Sequence, residues 1–434
     1  MTRTRPLTPF ELAHFDRNSQ LGNVPKAEVW LYIGSEVRGE IDLDVLRLVL
    51  AELAAGHALL RSVVLGEGSD LRFEMREDYQ PPLEVRDGGE DEYRKVVNTE
   101  QDWRGGLFKG YVIRGEDSSR VVIVAHHGIC DGRSMFPLLG ELWERYSAHL
   151  AGSPLPLSDS DLELPDGVDA QLANTVAEAE VDAFVGQLAA MTQATDMAMP
   201  APAQLPLDGD GVGDPRGRFT LQSIELNPED SAAVVEAARA HGFSVNSLIS
   251  GAALMAVRGE IEADAAPAMM LIGHCADVRS ELSPPIGGET LLNCVGGVPT
   301  PVFVSADADP SELAKMVEVG VRGGIDARFP ALILRALSRG LDPVAAGMPA
   351  ILPTLGLSNV GRLQAYPIPA ELELVRNFVY AMGPGMPPAM TFYTIGDRLT
   401  IQVEYDTAEH SHAKMARVTE ALREQLRALC GIAA

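Results

Sequence analysis

A chain of 434 residues with 46% hydrophobic side chains can bury more than one core, so two domains are expected. The formal net charge of −26 excludes nucleic acid and anionic membrane surfaces as general partners, because their phosphates would be repelled. The four cysteines have no C-x-x-C spacing, which predicts reduced thiols and argues against a disulfide framework or a zinc site.

The N-terminal residues include basic side chains, but no apolar run follows them, and no segment approaches the length of a membrane span. These features predict a cytoplasmic protein without a membrane span, and we expect it to be a monomer. Its partners should be small molecules or proteins whose surfaces match it locally.

The first half of the chain alternates between strand and helix patterns. In chain order, the patterns predict a strand at 27–34, a helix at 42–60, strands at 71–75 and 107–113, and helices at 135–150 and 168–191. Together these elements predict a mixed α/β unit that ends near residue 190.

The segment 121–134 reads VVIVAHHGICDGRS and predicts a buried strand that ends in two histidines. Its five apolar residues suffice for a strand and are too few for an independent helix. Asp131 and Gly132 predict a turn that opens the next helix, since a short acidic side chain accepts from the free N–H groups of a first helical turn. Successive strand side chains point to opposite faces, so His126 and His127 cannot both face one cavity.

The spacing His-His-x-x-x-Asp-Gly between a strand and a helix resembles the signature of the chloramphenicol acetyltransferase-like superfamily. That group includes the condensation domains of nonribosomal peptide synthetases, the plant BAHD acyltransferases and the mycobacterial polyketide-associated acyltransferases. The resemblance implies an α/β fold of two subdomains, each a mixed sheet with helices, and an active-site tunnel between them. It implies that His127 is the general base with His126 in support. Asp131 and Gly132 would shape the loop, with Asp131 paired to Arg279 of the second half.

Other interpretations of these residues stay open at this point. Both histidines could be satisfied core residues at the end of a strand. Cys130 or Ser134 could be a nucleophile, although adjacency in sequence does not supply the contact with a base that a covalent route needs. His410 and His412 could bind a metal, but no third ligand is visible, so we expect no metal site.

Residues 191–217 are rich in Pro, Ala, Gly and Asp and predict a linker between subdomains at 1–190 and 218–434. The second subdomain also has clear local patterns. They predict strands at 218–226 and 268–275, a helix that starts at Asn227-Pro228, a buried helix at 244–257, helices at 310–323 and 329–339, a hairpin at 390–405 and a last helix at 411–429.

The phrase Ser358-Asn359-Val360-Gly361 resembles the Ser-Asn-x-Gly strand of polyketide-associated and condensation enzymes. In that interpretation Ser358 or Asn359 donates a hydrogen bond to the substrate carbonyl or its developing oxyanion. The alternative is an ordinary turn. The Asp-Phe-Gly-Trp-Gly motif of the plant enzymes is absent, which favours the bacterial polyketide-associated and condensation types.

Acyl transfer from a thioester needs a base for the attacking group and stabilisation of charge on the tetrahedral oxygen. A neutral imidazole suits the first task at physiological pH, and the chain has no G-x-S-x-G nucleophile elbow. We therefore predict an acyltransferase with no bound cofactor, in which His127 acts on an alcohol acceptor. The donor would be acyl-CoA or a phosphopantetheinyl acyl-carrier protein, and the product an ester of secondary or lipid metabolism.

Two alternatives to ester formation remain. One is a stand-alone condensation enzyme that forms an amide. The other is a catalytically silent domain that only recruits carrier proteins; the intact motif argues against it.

Acidic donors need a local cationic surface on a protein of this charge. Between residues 321 and 340 four basic side chains accompany the single acid Asp326, and they are Arg322, Arg328, Arg335 and Arg339. Arg335 and Arg339 are four apart and share one helix face. The sequence predicts donor docking there, or else a solvated face that acids from elsewhere in the fold balance.

Overall fold

The structure is a computed structural model, and it describes residues 3–16, 20–21, 24–25, 29–157, 163–193, 200–261, 266–339 and 352–432. The strands are β1 Thr4–Pro6, β2 Gln20–Leu21, β3 Val24–Pro25, β4 Trp30–Arg38, β5 Ser62–Leu65, β6 Arg72–Met75, β7 Leu83–Asp87, β8 Phe108–Arg114, β9 Ser119–His126, β10 Phe219–Glu225, β11 Ala268–Asp277, β12 Val295–Val304, β13 Leu355–Leu363, β14 Glu373–Tyr380, β15 Ala389–Ile395 and β16 Arg398–Asp406. The helices are α1 Pro9–Leu12, α2 Leu43–Gly56, α3 Gly89–Val97, α4 Gly132–Leu150, α5 Val168–Leu172, α6 Glu178–Gln193, α7 Pro228–His241, α8 Val245–Arg258, α9 Pro310–Asp326, α10 Phe329–Ser338 and α11 His412–Cys430.

Two mixed sheets with helices form the body of the molecule. The first has the strand order β14-β4-β9-β8-β7, and the second has the order β10-β16-β15-β13-β11-β12. A small sheet, β1-β6-β5, and the two-stranded ribbon β2-β3 complete the described strands. The fold is therefore of the mixed α/β class that the sequence predicts.

Most predicted helices and strands are present, with ends shifted by a few residues. The capping residues and apolar patterns on which they were predicted form the expected contacts. Asn227, for example, caps α7 by accepting a hydrogen bond from the Asp230 N–H, and Pro228 occupies the first turn. The single helix predicted at 168–191 is wrong, since the structure has α5 and α6 there. Thr175 lies between these two helices, and its hydroxyl donates to the carbonyl of Leu172, the last residue of α5. Such a side-chain hydrogen bond to the backbone competes with continuation of the helix.

The second half of the chain contributes a strand to the first sheet. β14 pairs antiparallel with β4, with Phe378 opposite Gly34. A Cβ at Gly34 would lie 2.3 Å from the Val121 carbonyl oxygen and 2.8 Å from the Phe378 ring, so only glycine fits this crossing. The subdomain bounds 1–190 and 218–434 stay a prediction, and any such division has to accommodate this shared sheet.

Glu404 lies on β16 and is 2% exposed. Burial raises the pKa of its carboxyl to about 8. The carboxyl is then neutral in the folded chain below that pH and ionised in the unfolded chain above about 4.5. Stability should therefore fall as pH rises through this window, by about 1.4 kcal/mol per pH unit from this group.

Glu404→Gln should remove this contribution while keeping the shape of the side chain. Urea unfolding at pH 6 and pH 7 measures it, and the wild type should lose about 1.4 kcal/mol more than the variant between the two. Parallel losses in the two proteins would show that the Glu404 carboxyl does not titrate as burial implies.

Across the described ranges, no single helix has both the length and the hydropathy needed to cross a membrane; α7 and α8 meet them only jointly, across a 97° bend.

Candidate active site

The motif strand β9 ends at His126, and the chain turns before α4 begins at Gly132. Asp131 is the N-cap of α4: its carboxylate accepts from the Ser134 N–H at 3.0 Å, and its own N–H donates to Ser134 Oγ at 3.1 Å. This reciprocal capping ties the loop to the first turn of the helix. Ser134 is thereby occupied as a capping residue.

His126 is completely buried in the first half. Its ring stacks on Phe15 with centroids 4.2 Å apart, and its Nδ1 accepts from the Gly128 N–H at 3.1 Å. Burial lowers the pKa of His126 to about 3, so the ring stays neutral at physiological pH. These contacts suit the supporting role that the sequence gives it.

His127 is half-buried, where residues of both halves meet. Its backbone N–H donates to the Val29 carbonyl at 2.9 Å, which fixes the chain at this point. The Asn293 side chain donates to the His127 carbonyl at 2.8 Å and lies 3.3 Å from Nδ1. His14 stacks on the His127 ring with centroids 6.0 Å apart.

Sequence reasoning did not place Asn293 or His14 at this site. Asn293 lies two residues before β12, in a phrase, Asn-Cys-Val-Gly, that carries no sequence signal of a contact with His127. His14 follows the short helix α1, a region without a motif. Their approach to His127 depends on tertiary packing, which no local pattern reports.

Asp131 and Arg279 form a bidentate pair between the halves. Arg279 donates to the two carboxylate oxygens at 2.8 and 3.0 Å. The Cys294 N–H also donates to Asp131, at 2.8 Å, and Arg279 donates to the Leu292 carbonyl at 2.6 Å. Asp131 is 0% and Arg279 3% exposed, so the two charges are desolvated and bound to each other by two charge-assisted hydrogen bonds.

Gly132 lies against β13 of the second half. A Cβ at Gly132 would meet the Val360 side chain at 3.3 Å. Arg133 donates to the Val360 carbonyl at 2.8 Å. The motif loop is therefore held between its own helix and β13.

Ser358 and Asn359 lie on β13 beside this loop. Asn359 is exposed, and its side-chain oxygen accepts from the Gly361 N–H at 2.9 Å where the strand register shifts. That contact is what the ordinary-turn interpretation expects. An oxyanion role for either side chain stays a prediction.

The alternative nucleophile and metal sites also have defined surroundings. Cys130 is completely buried, its thiol donates to the His126 carbonyl, and burial raises its pKa. His412 Nε2 lies 2.8 Å from Asp214, and its Nδ1 lies 2.8 Å from the Tyr405 hydroxyl. Among the residues with a described placement, no three His, Cys, Asp or Glu side chains form a metal-binding group.

A cavity of about 790 Å³ opens beside the motif helix, with walls from both halves. Its apolar wall includes Phe136, Leu291 and Tyr366. Ser134 also lines it, so the cavity begins within one helical turn of the motif loop. Its volume is in the range of small-molecule sites.

The four arginines predicted to dock the donor all make ion pairs in the structure. Arg335 and Arg339 bind Glu178 of α6, and Arg339 also binds Asp182 at 2.7 Å. Arg328 pairs with Glu281 at 2.9 Å and Glu180 at 3.2 Å, and Arg322 pairs with Glu318 at 2.5 Å. These contacts correspond to the balanced-face interpretation, and Arg335 is only 8% exposed. Donor docking stays a prediction that the ion pairs weaken.

Comparison with known proteins finds relatives that carry out acyl transfer. Residues 215–404 match the family described as phthiocerol/phthiodiolone dimycocerosyl transferase C-terminus. A phthiocerol/phthiodiolone dimycocerosyl transferase from Mycobacterium ulcerans (strain Agy99) is 26% identical over 384 residues, which cover 85% of this chain and 86% of the relative. Cyclosporin synthetase from Tolypocladium inflatum is 30% identical over 154 residues, covering 32% of this chain and 1% of the synthetase.

Solved structures share the fold over nearly the whole chain. Polyketide synthase associated protein 5 from Mycobacterium tuberculosis has a TM-score of 0.69 and 17% identity, covering 99% of this chain and 98% of that one. Trichothecene 15-O-acetyltransferase from Fusarium sporotrichioides has a TM-score of 0.73 and 13% identity, covering 98% and 95%. At these identities the likeness is one of fold.

Proposed function

We propose that this chain, which is similar in sequence to dimycocerosyl transferases, transfers an acyl group from a thioester to an alcohol, with His127 as general base. The observation that carries the proposal is the placement of His127. Its ring is half-buried between the halves, while His126 is sealed in the core and Asp131 is engaged by Arg279. Of the three titratable motif side chains, only His127 is partly open to a substrate.

The proton follows one path in this reaction. His127 takes the proton of the acceptor hydroxyl as its oxygen attacks the thioester carbonyl, and a C–O bond forms. The tetrahedral intermediate then collapses, the C–S bond breaks, and His127 returns the proton to the leaving sulfur. The thioester is already activated, so no covalent enzyme intermediate is required.

An alcohol acceptor is favoured over an amine by the longest match. The Mycobacterium ulcerans relative is named a transferase acting on phthiocerol and phthiodiolone, and it aligns with 85% of the chain. Matches to nonribosomal peptide synthetases cover half of the chain or less, as with the 32% for cyclosporin synthetase. We therefore propose ester formation on a lipid or secondary-metabolite alcohol, with amide formation as the second candidate.

Intact-mass and product analysis tests the proposal. The protein is incubated with acyl-CoA, with acyl-carrier protein, and with pooled alcohols and amines. An acyl ester that forms only with protein and thioester together supports the proposal, and an amide supports the second candidate. Carrier-protein binding without any product across a broad donor panel would favour a recruitment domain instead.

The proposal also needs a surface on which the donor can dock. Coenzyme A and carrier proteins are acidic, and the chain carries −26, so a local cationic surface has to offset the repulsion. We propose that Arg322, Arg328, Arg335 and Arg339 contribute to it in spite of their ion pairs. The side chains of Arg322 and Arg328 are 69% and 34% exposed, that of Arg339 is 24% exposed, and that of Arg335 is 10% exposed.

Reversing the charge with Arg335→Glu and Arg339→Glu should raise the donor KM about two- to fivefold and leave kcat nearly unchanged. This is the pattern for lost uniform binding, and its size is that of partly exposed charges. The salt dependence of the donor KM should also weaken in the variant.

Glu178→Arg, added to the double reversal, provides the control. It restores opposite charges between α10 and α6, so it should recover stability in thermal unfolding without recovering the donor KM. A donor KM that is unchanged by the double reversal, or that recovers together with stability, would remove these arginines from the donor site.

A further inference from the structure

The side-chain amide of Asn293 is the point where the second half touches His127. Asn293 is 3% exposed and lies just before β12. Its side-chain oxygen accepts from the Val295 N–H at 3.1 Å, which determines how the amide is turned. The amide nitrogen therefore faces the histidines.

Three acceptors compete for that nitrogen. Asn293 Nδ2 lies 2.8 Å from the His127 carbonyl oxygen, 3.3 Å from His127 Nδ1 and 3.4 Å from His14 Nε2. An amide nitrogen has two hydrogens. The carbonyl takes one at the shortest distance, so the two imidazoles share the other.

The role of general base limits which imidazole can take that hydrogen. A neutral imidazole carries one N–H, so His127 can accept the substrate proton on Nε2 only while its own hydrogen is on Nδ1. An Asn293 hydrogen accepted by Nδ1 would hold the ring in the other tautomer, with Nε2 already protonated. His14 Nε2 lies nearly as close and offers the amide hydrogen another acceptor.

We infer that Asn293 is a positioning residue for His127, and that His14 accepts the shared Asn293 hydrogen so that Nδ1 of His127 can carry the hydrogen of its own ring. The inference rests on the proposed role of His127 as general base. The near-parallel rings, 17° apart, put both nitrogens beside one amide, so His14 can take the hydrogen with little movement of heavy atoms. His14 is 6% exposed, and a buried donor left without an acceptor is costly.

A double-mutant cycle in kcat tests the inference. His14→Phe should lower kcat about three- to tenfold, the effect of one lost hydrogen bond, with both substrate KM values nearly unchanged. In the Asn293→Ala background the same change should have almost no effect, because the amide hydrogen is gone. His14→Gln supplies a side-chain acceptor and should recover most of the activity.

His274→Phe is the matched control. His274 is also buried, at 3% exposed, and its Nδ1 lies 3.4 Å from the Asn246 side-chain nitrogen on α8. Its replacement removes an equivalent imidazole–amide contact and should leave kcat unchanged. Thermal unfolding is measured for every variant, and His14→Leu replaces His14→Phe in the cycle if the latter does not fold.

Equal losses from His14→Phe in both backgrounds, or a His14→Gln variant as slow as His14→Phe, would overturn the inference. His127→Ala, assayed alongside, separates this failure from failure of the proposed function. If His127→Ala is inactive while the cycle is additive, only the role of Asn293 and His14 falls. If His127→Ala is fully active, the proposed base falls and the inference with it.

Discussion

Replacing His127 by alanine should lower kcat by about 10²–10⁴-fold, which is the range for loss of a general base. The ring is half-buried and packs on His14, so its removal should cost little stability. Steady-state kinetics with saturating thioester and alcohol gives the rate, and thermal unfolding shows that the variant is folded.

His412→Ala is a suitable comparison for that experiment. It removes an imidazole that contacts Asp214 and Tyr405 at the start of α11, and it should leave kcat unchanged. A folded His127→Ala variant with near-normal turnover would exclude His127 as the base.

Breaking the Asp131–Arg279 pair should have the largest effect on stability. Arg279→Ala should lower the free energy of unfolding by about 3–5 kcal/mol, because it leaves the Asp131 carboxylate buried without an ion-pair partner. Asp131→Asn should cost less, because Arg279 keeps an ion pair with the partly exposed Asp277 at 3.1 Å. Asparagine is also a good N-cap, so Asp131→Asn keeps the start of α4 and isolates the charge. Urea unfolding measures both changes.

The double mutant should lose less than the sum of the two single losses, since the variants share one interaction. Arg38 and Glu373 give a matched control: they also link the two halves, through β4 and β14, but their side chains are 53% and 68% exposed. The corresponding cycle there should yield a coupling below about 1 kcal/mol. Additive losses at Asp131 and Arg279 would show that their contact does not contribute to stability as a pair.

The parts of the fold that the sequence predicts are those with strong local signals. The motif strand is a continuous β-branched run, and α7 has both its Asn227 cap and Pro228. The pairing of Asp131 with Arg279 was accessible only through the family resemblance, because 148 residues separate them.

Other features were beyond sequence reasoning because their cause is tertiary. β14 has a weak strand pattern of its own and forms where β4 offers an edge. The sequence could not decide between donor docking and a balanced face for the arginines between residues 321 and 340, because the partner acid Glu178 comes from α6. Asn293 contacts His127 only when the two halves pack together, so no sequence spacing predicts this contact.

The position of β14 in the first sheet bears on how the chain is made. β4 is synthesised before its partner β14, which follows about 340 residues later in the chain. At translation rates of about 5–20 residues per second, the β4 edge waits on the order of tens of seconds for β14. An unpaired edge with buried-type residues such as Trp30 and Ile33 is a template for pairing between nascent chains. Yield of folded protein should therefore depend on chaperones that shield this edge during synthesis.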